Sequence, residues 1–348
     1  MLVLVPHLFP PPQLLDAAQG MHLPTLQTLL ARGRRESCPA AGTEAALCEA
    51  LGIEQQQDWP VAPITLEADG GTAGSAYWLR VDPVHLRVMR DRIVLAGDAP
   101  DLTSDEADTL ASAIGTHFGD ALRPLPLRPQ RWYLRLARPA ALTTTPPSLA
   151  AGRDIQPLLP QGPDATQFRT QLNEVQMLLH DHPVNQAREA RGALPVNALW
   201  PWGGGVLPAA HPHPWRIACQ HEDLQALARF TGASVNSSID ASSDVAVFDA
   251  LAAAIQAGDA FGWREALHRL EQTLAAVQTR HARVSLVDPV RGLACHGHRM
   301  DRWRFWRKRS ALGTLLRADP WRETSRSDSV SPSPACGMGR GKRAAPVS

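Results

Sequence analysis

"HPVNQAREARGALPVNALWPWGGG", His182 to Gly205, packs two Pro-Val-Asn triplets, two tryptophans and three consecutive glycines into one segment. The prolines and glycines interrupt both the helical period and the alternation of a strand, and a generic loop needs no such particular residues. Its apolar run "NALWPW" before Gly203, Gly204 and Gly205 predicts a strand running into a glycine loop. Upstream, "DATQFRTQLNEVQMLLHDH" predicts a helix ended by His182 and Pro183. In a purely structural role Asn197 would satisfy buried backbone, and the glycines would let the chain pass close under a neighbour.

Towards the N-terminus, "MLVLVPHLF" is a short apolar run closed by prolines, the pattern of a buried strand. "LPTLQTLLARG" places Leu23, Leu26, Leu29 and Leu30 at helical spacing, and "GTEAALCEALG" repeats the pattern to Gly52. "AYWLRVDPVHLRVMRDRIVLAG" predicts a hairpin or meander turning at "RD", "TSDEADTLASAIGTHFG" a helix capped by Thr103 or Ser104, and "RWYLRLA" a returning strand. That β-β-α-β order predicts a small α+β subdomain inserted in a larger sheet. Downstream, "HEDLQALARFTGASV" predicts helix and strand, while "DVAVFDALAAAIQAG" and "FGWREALHRLEQTLAAVQTRHA" predict two further helices. The expected organisation is therefore a first part of an α/β core (1–75), the insert (76–140), a second part of the core (141–300), a basic-aromatic segment (301–318) and a disordered Ser/Pro/Arg-rich tail (319–348).

The chain has 348 residues, 44% of them hydrophobic and 20% charged, with net charge +1. That balance fits a soluble globular protein. Residues 301–348 carry +7 and the remainder −6, so the charge is concentrated at one end. Five widely spaced cysteines without a C-x-x-C pair suggest neither a disulfide framework nor a zinc ribbon, and a reducing cytoplasm fits best. "MLVLVPHLFPPP" lacks the features of a signal peptide, and no run is long enough to span a bilayer.

The ordered set "TTTPP", "DIQPLLPQGPDA" and "HPVNQAREARGALPVNALWPWGGG" resembles the archaeal-type cofactor-independent phosphoglycerate mutases of the alkaline phosphatase superfamily. "LPTLQTLLARG" is similar to the superfamily's first helix, and the segment beginning "AYWLRVDP" to its inserted domain. "LNEVQMLLHDHPVNQAREARG" and "PVNALWPWGGG" look like the RpfE family, named as regulators of pathogenicity factors. The resemblance implies an alkaline phosphatase-like mixed sheet flanked by helices, with an inserted α+β subdomain.

Mutase chemistry would imply two divalent metals, a phosphoryl-accepting serine, and carboxylates with histidines as ligands. The family's first strand ends in a metal-ligating Asp-Gly; here it ends in Val5, Pro6 and His7. Its nucleophile segment lies over Gly42, Thr43 and Glu44, so Thr43 would be the nucleophile if the protein were active, with manganese or zinc as cofactor. The substrate-side Pro-Pro-His-Asp is Pro146, Pro147, Ser148 and Leu149. After Val235 the family's Asp and His groupings are absent. His182, Asn185, Arg188 and Asn197 still match, and in a binding role Arg188 would contact a phosphate or carboxylate.

His180, Asp181 and His182 point away from one another on a helix, and Cys295, His296 and His298 lack a second ligand pair, so neither predicts a metal site. "RWRFWRKR" interleaves aromatics with five cations; Arg302, Trp303, Trp306 and Arg307 are its candidate interaction residues. The expectation is a non-catalytic, cofactor-free, RpfE-like regulatory or accessory protein in the cytoplasm. Its partner would be an unidentified protein or a phosphorylated metabolite, nucleic acid being disfavoured. The alternatives are a residual phosphoglycerate mutase using Thr43, and an interaction module acting through 302–309.

Overall fold

The computed structural model describes residues 1–97, 99–304 and 310–317. In chain order the strands are β1 (Leu2–Leu4), β2 (Arg34–Ser37), β3 (Tyr77–Val84), β4 (Leu86–Val88), β5 (Ile93–Leu95), β6 (Leu125–Arg128), β7 (Arg131–Leu136), β8 (Ala198–Gly205), β9 (Arg216–Ala218), β10 (Ser234–Asn236), β11 (Val245–Val247), β12 (Arg283–Asp288) and β13 (Leu293–His298). They form a seven-stranded sheet in the order β10-β9-β11-β1-β12-β13-β2, a four-stranded sheet in the order β6-β7-β3-β8, and the β4-β5 hairpin. The expected mixed α/β architecture is what the chain forms, with helices against both faces of the large sheet.

In that sheet β10 through β12 run parallel, and β13 and β2 close it antiparallel. Strand side chains alternate between faces. Val3, Val5, Val284 and Leu286 therefore pack against the Pro24–Arg32 and Ala260–Arg280 helices, whereas Leu2, Leu4, Val245 and Val287 share a core with the Thr43–Ala50 and Glu222–Phe230 helices. Burial on both faces explains one correction. The run "DVAVFDALAAAIQAG", expected to be helical throughout, is β11 followed by a helix at Ala250–Ala257. A three-residue strand buried on both faces shows no alternation to distinguish it from a helix.

The four-stranded sheet is antiparallel throughout. One face packs against the Ser104–Phe118 and Ala165–His180 helices through Leu79, Leu134, Ile114 and Leu172. The Ser104 helix opens on a capping box, in which Thr103 accepts from the Glu106 N–H and Glu106 from the Thr103 N–H. The sheet combines β3, β6 and β7 with β8, which comes from residues 198–205. Its other face meets the Val61–Ala68 helix, where Trp78 and Tyr133 contact Ala62 and Leu66.

The opening segment is thereby explained, with a second correction. Gly203, Gly204 and Gly205 lie inside β8 and not in a loop. Trp78 pairs with Gly205 and Arg80 with Trp202, so two glycines face Leu79 alone, a bulge. Gly203 has φ +70°, and a Cβ on Gly205 would sit 2.6 Å from Pro60 Cβ. The bulge and the close approach to the neighbouring helix both require glycine.

Candidate functional site at the strand ends

The C-terminal ends of parallel strands leave backbone unpaired and meet loops, the usual place for a site in an open α/β sheet. Here β1 runs out into Pro6, His7, Leu8 and Phe9, and β12 into Asp288, Pro289 and Val290. Asp288 is fully buried and ties the two ends together. Its Oδ1 accepts from the N–H groups of His7 at 3.2 Å, Val290 at 3.0 Å and Arg291 at 3.1 Å, and its Oδ2 from Phe9 at 3.0 Å. Burial pushes the Asp288 carboxyl up to about 6 against the pull of these four donors.

His7 stands in the left-handed region with φ 61°, uncommon for a side chain with a Cβ. It is 8% exposed and its Nε2 is buried without a hydrogen-bond partner. Burial, then the positive charges of Arg291 and Arg153, depress its pKa to about 4. Arg291 is held by Nε donating to Phe9 O at 3.1 Å, and Arg153 by Nη1 donating to Leu149 O at 3.2 Å. Burial and then the Arg291 charge hold the Arg153 guanidinium below its ordinary value. Among the described residues neither guanidinium has a carboxylate within ion-pair distance.

The Thr43–Ala50 helix begins at the same edge, since Gly42 N–H donates to Pro289 O at 3.1 Å. Thr43 is buried there beside Glu44, whose carboxylate accepts from the Ser148 hydroxyl. Burial raises the Glu44 pKa, with the Ser148 bond pulling the other way. Asp58, further along, accepts from Thr144 and from Trp59 N–H at 2.8 Å.

The ligand candidates from the opening segment lie elsewhere and are engaged internally. Arg188, 1% exposed, donates to Leu194 O at 2.9 Å, Asp101 O at 2.8 Å and Glu106 Oε2 at 2.7 Å. Asn185 bonds Leu179 O and Val196 O, both at 2.7 Å, and accepts from Val196 N–H at 2.9 Å. Asn197 exchanges bonds with the backbone of Leu86 at 2.7 and 2.8 Å. His182 caps the Pro183–Ala190 helix through Nδ1, which accepts from Val184 N–H at 3.2 Å. These four side chains hold the helix–turn–strand together, and their donors and acceptors are directed at protein. Trp303 is exposed. Trp306, Arg307 and the side chain of Arg302 lie outside the described residues, as does the 319–348 tail.

His7, Asp288, Arg153 and Arg291 are the residues that sequence reasoning does not bring together. Only the Pro-His at the end of an apolar strand is legible, because its partners come from distant parts of the chain and no local pattern links them.

A family profile described as 2,3-bisphosphoglycerate-independent phosphoglycerate mutase matches residues 74–185. The probable mutase of that kind from Geobacter sulfurreducens is 27% identical over 220 residues, which is 60% of this chain and 52% of the relative. The scaffold is phosphoglycerate mutase-like. The 2,3-bisphosphoglycerate-independent mutase of Methanosarcina mazei is 26% identical over 204 residues, 55% of this chain and 50% of the relative. The chain thus spans about half the length of these curated relatives. The solved cofactor-independent mutase of Thermoplasma acidophilum aligns over 94% of this chain and 98% of its own, at 16% identity and a TM-score of 0.40.

A two-metal centre does not fit the residues at this edge. Among the described residues no three His, Cys, Asp or Glu side chains come together as ligands. The positive charges of Arg291 and Arg153 act on the buried His7 ring and disfavour a cation there, and the Asp288 oxygens are occupied by backbone N–H groups.

Proposed function

We propose that this protein is an RpfE-like regulatory or accessory protein that works in the cytoplasm by binding, on a scaffold of the phosphoglycerate mutase kind that is non-catalytic for phosphoryl transfer. The ligand class is a small phosphorylated or carboxylated metabolite held at the strand ends by Arg153 and Arg291. One observation carries this reading: where the resemblance implies a metal-binding carboxylate, this chain presents His7, on which the charges of Arg291 and Arg153 act, and among the described residues neither guanidinium has a carboxylate partner. Guanidinium groups bind phosphate and carboxylate through paired N–H donors, and need no metal to do so.

The test is calorimetric titration with 3-phosphoglycerate, with and without manganese, beside an assay for interconversion of 3- and 2-phosphoglycerate. Saturable binding that is indifferent to manganese, with no interconversion, is the expected result. Manganese-dependent interconversion would overturn it in favour of the mutase alternative, in which Thr43 at its helix N-terminus takes the phosphoryl group. An interaction module acting through residues 302–309 is supported here only by the exposure of Trp303.

A further inference from the structure

The face of the large sheet that carries Leu2, Leu4 and Val287 borders a cavity of about 1280 Å³. Three of the polar side chains that line it stand on adjacent strands. Ser285 on β12 is the cross-strand partner of His296 on β13, whereas on β2 the partner of His296 is Arg34 and Glu36 is its diagonal neighbour. Direct neighbours on one face approach to about 5 Å between Cβ atoms and diagonal ones to about 7–8 Å, a span that a long side chain such as glutamate bridges.

Ser285 Oγ lies 2.9 Å from His296 Nδ1. On the other side of the ring, His296 Nε2 lies 3.3 Å from Glu36 Oε2, which also takes Arg34 Nη2 at 2.7 Å. The Nε2 approach is off the hydrogen-bond axis, and that buried nitrogen has no other partner. With Nδ1 accepting from the serine hydroxyl, the proton of a neutral ring sits on Nε2, facing the carboxylate. This is the order of groups that activates a hydroxyl nucleophile: hydroxyl, base, and an acid that fixes the base's tautomer.

We propose that Ser285 is a nucleophile, with His296 as its general base and Glu36 as the residue that positions His296, and that the cavity accepts a small carboxylic ester. The apolar part of the ester would rest on Leu2, Leu4 and Val287. Ser285 Oγ forms the new bond to the carbonyl carbon while its proton passes to His296 Nδ1. Collapse of the tetrahedral species breaks the ester C–O bond, and the leaving alkoxide takes the proton from His296. Water then attacks the acyl-serine by the same route, releasing a carboxylic acid and restoring Ser285. Arg283, which lines the same cavity, is the cation available to the developing oxyanion, Arg34 being paired with Glu36. Burial and then the Arg34 charge hold His296 below the ordinary histidine value, with Glu36 opposing, so the ring is in its basic form at neutral pH.

The test treats the full chain with a fluorophosphonate probe and maps the adduct by peptide mass, with p-nitrophenyl acetate hydrolysis measured in parallel. A single phosphonyl adduct on Ser285 is expected, absent from Ser285→Ala, with labelling slowed about 100-fold or more in His296→Gln. The labelling rate should rise with pH through one ionisation below 6.5, in a setting where Arg34, Glu36, Arg283, His298 and Asp301 line the cavity. Glu36→Gln should move that midpoint downward, a change that a merely structural carboxylate would not produce. Folded wild-type protein left unlabelled at Ser285 would overturn the proposal, and that measurement needs no variant. Undiminished labelling in a folded His296→Gln would overturn it too.

Discussion

The backbone N–H of His7 donates to Asp288 Oδ1 at 3.2 Å, joining two buried titratable residues whose contributions to stability change with pH in opposite senses. His7 stays neutral in the fold down to about pH 4, whereas an unfolded histidine takes a proton near 6.5, so falling pH across that window favours the unfolded chain. The folded Asp288 carboxyl keeps its proton up to about 6, whereas the unfolded one releases it near 3.8. Its contribution is therefore fully present below 3.8 and lost as pH rises through 6. Each effect amounts to about 3 kcal/mol, and between pH 4 and 6.5 they largely cancel. His7→Asn, which tolerates the left-handed backbone, removes one of them. Urea unfolding should show this variant gaining about 3 kcal/mol relative to wild type between pH 6.5 and 4. A difference that does not change with pH would show that His7 is not buried in its neutral form.

Arg80 ties the four-stranded sheet to the Glu222–Phe230 helix. It is 2% exposed, pairs in bidentate fashion with Asp82 at 2.9 Å, reaches Asp223 at 3.0 Å, and lies over the rings of Tyr133 and Trp202. Arg80→Met leaves Asp82 buried without its cation and Asp223 with only the 3.4 Å pair to Arg131, and should cost about 3–5 kcal/mol in urea unfolding. The double variant with Asp223→Asn should recover part of that loss. No recovery would show that the two residues are not coupled.

Stability and ligand binding should separate between two sets of arginines. Arg188→Ala removes three internal bonds and should lower stability by about 3 kcal/mol, with any 3-phosphoglycerate affinity unchanged in the folded fraction. Arg153→Ala and Arg291→Ala should weaken binding about tenfold or more each, and the exposed Arg153 should do so with its melting temperature intact. Calorimetry beside thermal unfolding distinguishes them; the reverse pattern would return the ligand site to the opening segment.

Gly205→Ala brings a Cβ within 2.6 Å of Pro60 Cβ, an overpacking that should cost about 1–3 kcal/mol. Gly203→Ala adds backbone strain of about 1–2 kcal/mol at φ +70°. An unchanged denaturation midpoint for Gly205→Ala would show that the Val61–Ala68 helix yields to the added methyl.

Much of the architecture is legible in the sequence because helices announce themselves locally. Thr103 before Ser-Asp-Glu marks the capping box, and the leucines at 23, 26, 29 and 30 mark the first long helix. The short parallel strands are not legible in this way. β9 and β11 have three residues each, and the β12–β13 hairpin lies in "RVSLVDPVRGLACHGH", where His296 and His298 attract attention as metal candidates and not as strand residues. For the site, the Pro-His that ends the first apolar run is plain in the sequence. The chemistry around it is not, because Arg153 and Arg291 meet His7 only through the tertiary fold.

The position of β1 has a consequence for biosynthesis. Leu2–Leu4 sit mid-sheet between Val245–Val247 and Ser285–Val287, so these apolar residues gain both strand partners only once Ser285–Val287 have been made. At about 5–20 residues per second, that delay is on the order of tens of seconds. The Tyr77–Gly205 sheet has all its strands translated well before then. A nascent chain would thus carry one finished sheet and one strand still waiting for its partners, making "LVLV" the stretch for a holdase chaperone to shield during synthesis.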